Sequence, residues 1–186
     1  MSEPIKVNVV SYGGVKPGQM VVGNTKDGGK TILFDAASVT DGSYMFYRFA
    51  GLTSWNVDLP NLTNGSYMFY ICTGLTSFDA ALPSLTNGDY MFQSCDGLTS
   101  FSSALPSLRS GNAMFDHCIL SAESVKLVLN SIPDRASAGL SVSKLHIGKR
   151  TNFKTDPDVK ELLGETGDEI TAKTYSFKGW DVIVQN

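Results

Sequence analysis

One short run of sequence is written four times between Asp41 and Cys118, and its spacing never slips. Met-Phe recurs at Met45-Phe46, Met68-Phe69, Met91-Phe92 and Met114-Phe115, a constant step of 23 residues. Gly-Leu-Thr-Ser begins at Gly51, Gly74 and Gly97, and Leu-Pro at Leu59, Leu82 and Leu105, on the same step. A fixed period of this length marks stacked repeats, in which no single unit can bury its apolar face alone. Each repeat then buries its residues against the same residues above and below.

The repeated slots show what would stack. Leu52, Leu75 and Leu98 form one column, and Trp55, Phe78 and Phe101 a second. Leu59, Leu82 and Leu105, then Leu62, Leu85 and Leu108, form two more. Pro60, Pro83 and Pro106 follow the predicted strand, where no ladder donor is needed. Gly42, Gly65, Gly88 and Gly111 precede the Met-Phe turn, and a glycine at a fixed corner suggests positive φ. The Tyr44, Tyr67, Tyr90 column stops at Ala113, so the array closes there. Cys72, Cys95 and Cys118 also keep the 23-residue step. Their odd number, and Phe49 in the same slot of the first repeat, favour buried thiols acting as small apolar fillers over disulfides or a metal site.

The flanks read differently. Residues 1–40 hold three apolar runs, at 6–10, 19–22 and 31–34, with Asp27-Gly28 as a hairpin signal. This segment is assigned as an N-terminal β cap, either a hairpin or a degenerate first coil, because the open end of a stack must be covered. Gly23 to Thr31 resembles a phosphate-binding loop, but Asn24 stands where the first glycine belongs and a strand follows where a helix is required. Beyond Cys118, Ser121 can cap a helix carrying Val125, Val128, Leu129 and Ile132 on one stripe, stopped by Pro133. A strand over 141–147 and a helix from Asp156-Pro157 to Leu163, ended by Gly164, come next. Residues 168–178 are ambiguous, and 180–184 alternate as a strand. The expected fold is therefore an α/β solenoid: 23-residue leucine-rich-repeat coils over 41–120 with a parallel β-sheet, the N-terminal β cap, and a C-terminal α/β cap over 121–186.

The motif pattern Leu-Thr-Ser-aromatic, Leu-Pro-x-Leu, Met-Phe and then Cys resembles the BspA-type leucine-rich repeats over about 41–120. Met-Phe stands here where those repeats carry Ala-Phe, a variant that looks like proteins encoded by gut bacteria and their phages. The closing Lys178-Gly-Trp-Asp-Val-Ile-Val also looks like the ends of the phage and prophage relatives. The resemblance implies surface, adhesive or interaction roles, no common enzymatic activity and no fixed functional residues.

Several function classes are disfavoured directly. A net charge of −3 without clustered Lys and Arg argues against nucleic acid. No apolar run approaches the roughly 18–20 residues that span a bilayer, and the first residues do not read as a signal peptide. His117 and His146 lack ligand partners at zinc spacing. Cys118 beside His117 is read as a core thiol and not a nucleophile. Asn56, Asp58 and Asp79 lack a ligand loop, so a solvated polar face is preferred to calcium. No catalytic residue, metal or cofactor is assigned. The expected function is a non-enzymatic protein-binding or adhesion module, a structural or surface component of a bacterial cell or phage particle; the alternative is a cytosolic interaction scaffold. Its partner would be another protein or a cell-surface component, and self-association is compatible with this reading. The candidate contacts are Tyr47, Arg48 and Tyr70 after the Met-Phe turn, and Asn56, Asp58 and Asp79 on the outer strand face.

Overall fold

A computed structural model describes residues 7–11, 20–24, 30–34 and 36–186. Three short strands lie at the N-terminal end: β1 (Val7–Ser11), β2 (Met20–Asn24) and β3 (Lys30–Phe34). β3 is central, parallel to β1 and antiparallel to β2, with Met20 opposite Phe34 and Asn24 opposite Lys30. The Asp27-Gly28 turn lies outside the described residues. Lys30 and Thr31 belong to the strand, not to the start of a helix.

In the repeats, Leu-Thr-Ser-aromatic yields strands of two residues each: β4 (Ser54–Trp55), β5 (Ser77–Phe78) and β6 (Ser100–Phe101). They pair in parallel, with Trp55 opposite Phe78 and Phe78 opposite Phe101. The expected α/β solenoid is not what forms. Its repeats contain no α-helix; both described α-helices lie later in the chain. Instead of one continuous sheet, the described residues form three separate three-stranded sheets. The reason is local. After Asp79 donates to the Trp55 carbonyl at 2.7 Å, the next amide partner is a side chain: Ala81 N–H donates to Asp58 Oδ1 at 2.7 Å. The proline that follows each Leu has no N–H to give. Strand pairing therefore stops after two residues, and turns make up the rest of each rung.

Two interleaved aromatic columns fill the core. Phe46, Phe69, Phe92 and Phe115 stack at 5.4–5.5 Å between centroids. Trp55, Phe78 and Phe101 enter from the strand side, edge-on to successive pairs of these rings at 4.8–5.6 Å. Edge-to-face pairs at such distances each add about 0.5–1.5 kcal/mol beyond area burial. Cys72, Cys95 and Cys118 are free and fully buried. Each thiol donates to a carbonyl in the turn of the preceding rung, of Phe46, Phe69 and Phe92, at 3.1 Å. Burial pushes the Cys72 thiol up to about 12 and raises the other two as well, so all three are protonated and inert.

Small polar side chains stitch the rungs outside this core. Thr63, Thr76 and Thr86 hydroxyls donate to the carbonyls of Thr40, Thr53 and Thr63 at 2.9–3.0 Å. Ser84 and Ser107 donate to Pro60 and Pro83 carbonyls at 2.7 Å. Asn87 Nδ2 reaches Asn64 Oδ1 at 3.1 Å. These bonds account for the scarcity of charge, 18% of residues: the rung surface needs short donors more than it needs ions.

The last rung meets the C-terminal region by the same bonds. α1 (Ala122–Ser131) is capped by Ser121, whose hydroxyl accepts from Ser124 N–H. Its Ser124 and Ser131 hydroxyls accept from Phe101 and Leu105 N–H at 2.9 and 3.0 Å, taking the place of a further strand. β7 (Ser143–Lys149) accepts from the turn of the last rung, Gly111 N–H to Lys144 and Phe115 N–H to His146, both at 3.2 Å. It pairs in parallel with β9 (Trp180–Gln185), which pairs antiparallel with β8 (Thr174–Phe177). β8 resolves the ambiguous 168–178 stretch. α2 (Pro157–Leu163) starts at the Asp156 cap and ends at Gly164, whose φ of 66° is left-handed.

Candidate binding surface

The segment from Gly42 to Phe49 shows how each turn is built. The amides of Met45, Tyr47 and Phe49 donate within the rung, to the carbonyls of Gly42, Tyr44 and Phe46 at 3.0–3.2 Å. Those of Tyr44, Phe46 and Arg48 donate to the next rung, to Ser66, Met68 and Tyr70 at 2.7–3.2 Å. Alternate amides thus point in different directions. Left-handed residues permit this: φ is 59° at Tyr44 and 57° at Arg48, 56° at Tyr67 and Ile71, and 58° and 57° at Tyr90 and Ser94. An L-residue pays roughly 1–2 kcal/mol to adopt this conformation, which the paired amides offset.

The expectation for the rung glycines is corrected by the same values. Gly42, Gly65 and Gly88 do not have positive φ; a Cβ on any of them would come within 2.9 Å of the Sδ of Met68, Met91 or Met114. They are glycines because the next methionine packs against the backbone.

The turn places side chains outward in two neighbouring columns. Tyr44, Tyr67 and Tyr90 stack nearly parallel at 4.8 and 4.6 Å. Tyr47 and Tyr70 stack at 5.1 Å. The columns touch, with Tyr44 5.7 Å from Tyr47 and Tyr67 5.5 Å from Tyr70. Arg48 lies 5.3 Å from the centre of the Tyr47 ring. At the open end Tyr44 is 56% exposed and Tyr47 39%, while Tyr67, Tyr70 and Tyr90 are half-buried. Asn112 closes the other end by donating to the Tyr90 hydroxyl at 3.1 Å.

Five phenols therefore share one patch. Burial, with Tyr90, Tyr44, Tyr70 and Asp89 nearby, raises Tyr67 above its ordinary value, which keeps that phenol neutral in physiological conditions. Stacked faces leave ring edges and hydroxyls for a partner, together with one cation. Such a patch can bury apolar area while keeping hydrogen bonds, the reason tyrosine and arginine are enriched at contact surfaces.

Tyr47, Arg48 and Tyr70, singled out from the sequence, are brought together here. Tyr44, Tyr67 and Tyr90 were missed as surface residues. Their signal was present: Tyr44 and Tyr67 precede Tyr47 and Tyr70 by three residues, and Tyr90 keeps the same place in the third rung. Asn56, Asp58 and Asp79 lie elsewhere, at the strand end. Asn56 is exposed, Asp58 accepts from Ala81 N–H, and Asp79 accepts from the Ser102 hydroxyl at 2.6 Å. The two aspartates line a shallow groove of about 370 Å³ and are used to join rungs.

One pairing was not legible from spacing. His146 Nδ1 lies 2.5 Å from Asp116 Oδ1, which also accepts from Gln185 Nε2 at 3.0 Å. Gln185 in turn accepts from His117 N–H at 2.9 Å. This cluster ties the last turn to β7 and β9. Among the described residues no three His, Cys, Asp or Glu side chains converge to hold a metal ion. No described helix is long and apolar enough to cross a membrane. No protein-family model matches the chain, and no significant match was found among curated proteins or solved structures.

Proposed function

We propose that the chain is a non-enzymatic binding module that meets another protein or a cell-surface component through its tyrosine patch. The observation that carries this reading is the double tyrosine column, held on strained but fully hydrogen-bonded turns with its open end facing solvent. A patch of fixed aromatic side chains loses little conformational entropy on binding, which favours affinity. The repeat's resemblance to BspA-type motifs points the same way, toward an adhesive or structural part of a bacterial cell or phage particle.

The test is the triple variant Tyr47→Ala, Arg48→Ala, Tyr70→Ala, compared with the wild-type chain for retention of bacterial envelope fractions and particle proteins on an immobilised column. Contact hot spots cost at least about 2 kcal/mol each when truncated, so whatever the wild type retains should bind the variant roughly thirtyfold or more weakly. Equal retention by a variant with an unchanged circular dichroism spectrum would remove this patch as the contact.

A further inference from the structure

We propose that the groove between the last rungs and the loop after α1 binds a carboxylate carried on a short apolar stem, as a free acid or as the C-terminus of a peptide. The observation begins with Arg135. It is only 7% exposed, yet every hydrogen bond it donates goes to a neutral carbonyl. Its Nε and Nη2 reach the Ser141 carbonyl at 3.0 and 2.7 Å, and Nη1 the Arg109 carbonyl at 3.2 Å. The guanidinium sits 5.0 Å from the centre of the Trp180 ring. Among the described residues no carboxylate pairs with it. Buried charges are ordinarily paired, and three bonds leave two of the five guanidinium N–H groups unused.

Arg135 lines a groove of about 450 Å³, and Arg109 lines it too. The Arg109 side chain is exposed and forms no ion pair among the described residues; only its backbone is engaged, with its N–H on Thr86 and its carbonyl under Arg135. Among the described residues no Asp or Glu lines the groove, in a chain whose net charge is −3. The volume falls in the range of small-ligand sites, about 300–1,000 Å³.

The walls define the rest of the ligand. Pro106, Pro133 and Leu140 are apolar, and Leu140 is 45% exposed, one of the few large aliphatic side chains left open. The lining hydroxyls of Ser84, Ser107 and Thr86 spend their protons on carbonyls of the preceding rung. They have no donor left for an anion, so the two arginines must supply the donors. A planar guanidinium fork suits a carboxylate, and apolar walls suit a short hydrocarbon stem beside it. This site is distinct from the tyrosine patch and does not depend on it.

The experiment is an NMR titration of the full ¹⁵N-labelled chain with isovalerate, isovaleramide, inorganic phosphate and N-acetyl-Ala-Leu bearing a free C-terminus. Isovalerate should produce saturable shifts at the amides of Arg109, Arg135 and Leu140, and isovaleramide none. Phosphate should bind more weakly than isovalerate, because it gains nothing from the walls. Tighter binding of the dipeptide than of isovalerate assigns the site to chain termini; the reverse assigns it to free acids. Arg109→Ala should leave the fold intact and weaken isovalerate roughly tenfold, as expected for the loss of one charged donor. The proposal is overturned by an absence of saturable shifts, by isovaleramide acting like isovalerate, by phosphate binding as tightly, or by an Arg109→Ala chain that binds isovalerate unchanged.

Discussion

Ile71 is the residue most at odds with its own backbone. It holds φ at 56°, a region that β-branched side chains almost never occupy. Its amide donates to the Gln93 carbonyl at 2.8 Å, so the next rung fixes the conformation. The side chain is half-buried but is not packed into the apolar core. Asparagine tolerates this conformation far better. Ile71→Asn should therefore raise stability by about 0.5–1 kcal/mol, read as a higher urea midpoint at unchanged slope; a lower midpoint would contradict the strain. Sequence reading failed at this scale for a physical reason. Glycine is the usual mark of left-handed backbone, whereas these rungs place their glycines against methionine and leave tyrosine, arginine and isoleucine to turn. The Arg135 side chain gave no signal either, since its partners are backbone carbonyls that no residue pattern records.

Glu165 shows how the C-terminal elements hold together. It follows the Gly164 cap of α2 and accepts from Lys173 at 2.9 Å, from the Tyr175 hydroxyl in β8 at 2.8 Å, and from Gly167 N–H at 3.1 Å. Lys173 and then Tyr175 and Gly167 lower its carboxyl from the ordinary 4.5 to about 2. A folded value below the unfolded one gives stability that is present above about 4.5 and lost as pH falls toward about 2. Glu165→Gln should be less stable than wild type at neutral pH, and its thermal midpoint should fall less steeply across that acid window. Parallel midpoint curves for the two chains would show that this anchor contributes nothing. Elements with their own punctuation were legible here: Ser121 for α1, and Asp156-Pro157 with Gly164 for α2. β8 was not, because Thr174–Phe177 becomes a strand only by pairing with β9.

Across the molecule, the period of 23 correctly named which residues stack. Phe78 lies against Phe101 in register, and the Leu, Phe and Cys columns are buried. It did not show what joins one rung to the next. Periodicity reports burial, and burial is the same whether the backbone between buried residues is a strand, a helix or a turn. That is why an α/β solenoid was expected where two-residue strands and alternating turn amides are found. The position of the tyrosine columns follows from those turns, so the tyrosine patch is only as rigid as their hydrogen bonds. Native-state hydrogen exchange reads those bonds individually. The account predicts that the amides of Met68 and Met91, bonded within rungs, and of Phe69 and Phe92, bonded between rungs, exchange only through global unfolding, as slowly as Val128 and Leu129 in α1. Exchange of these turn amides at the rate of open loops, while α1 stays protected, would contradict it.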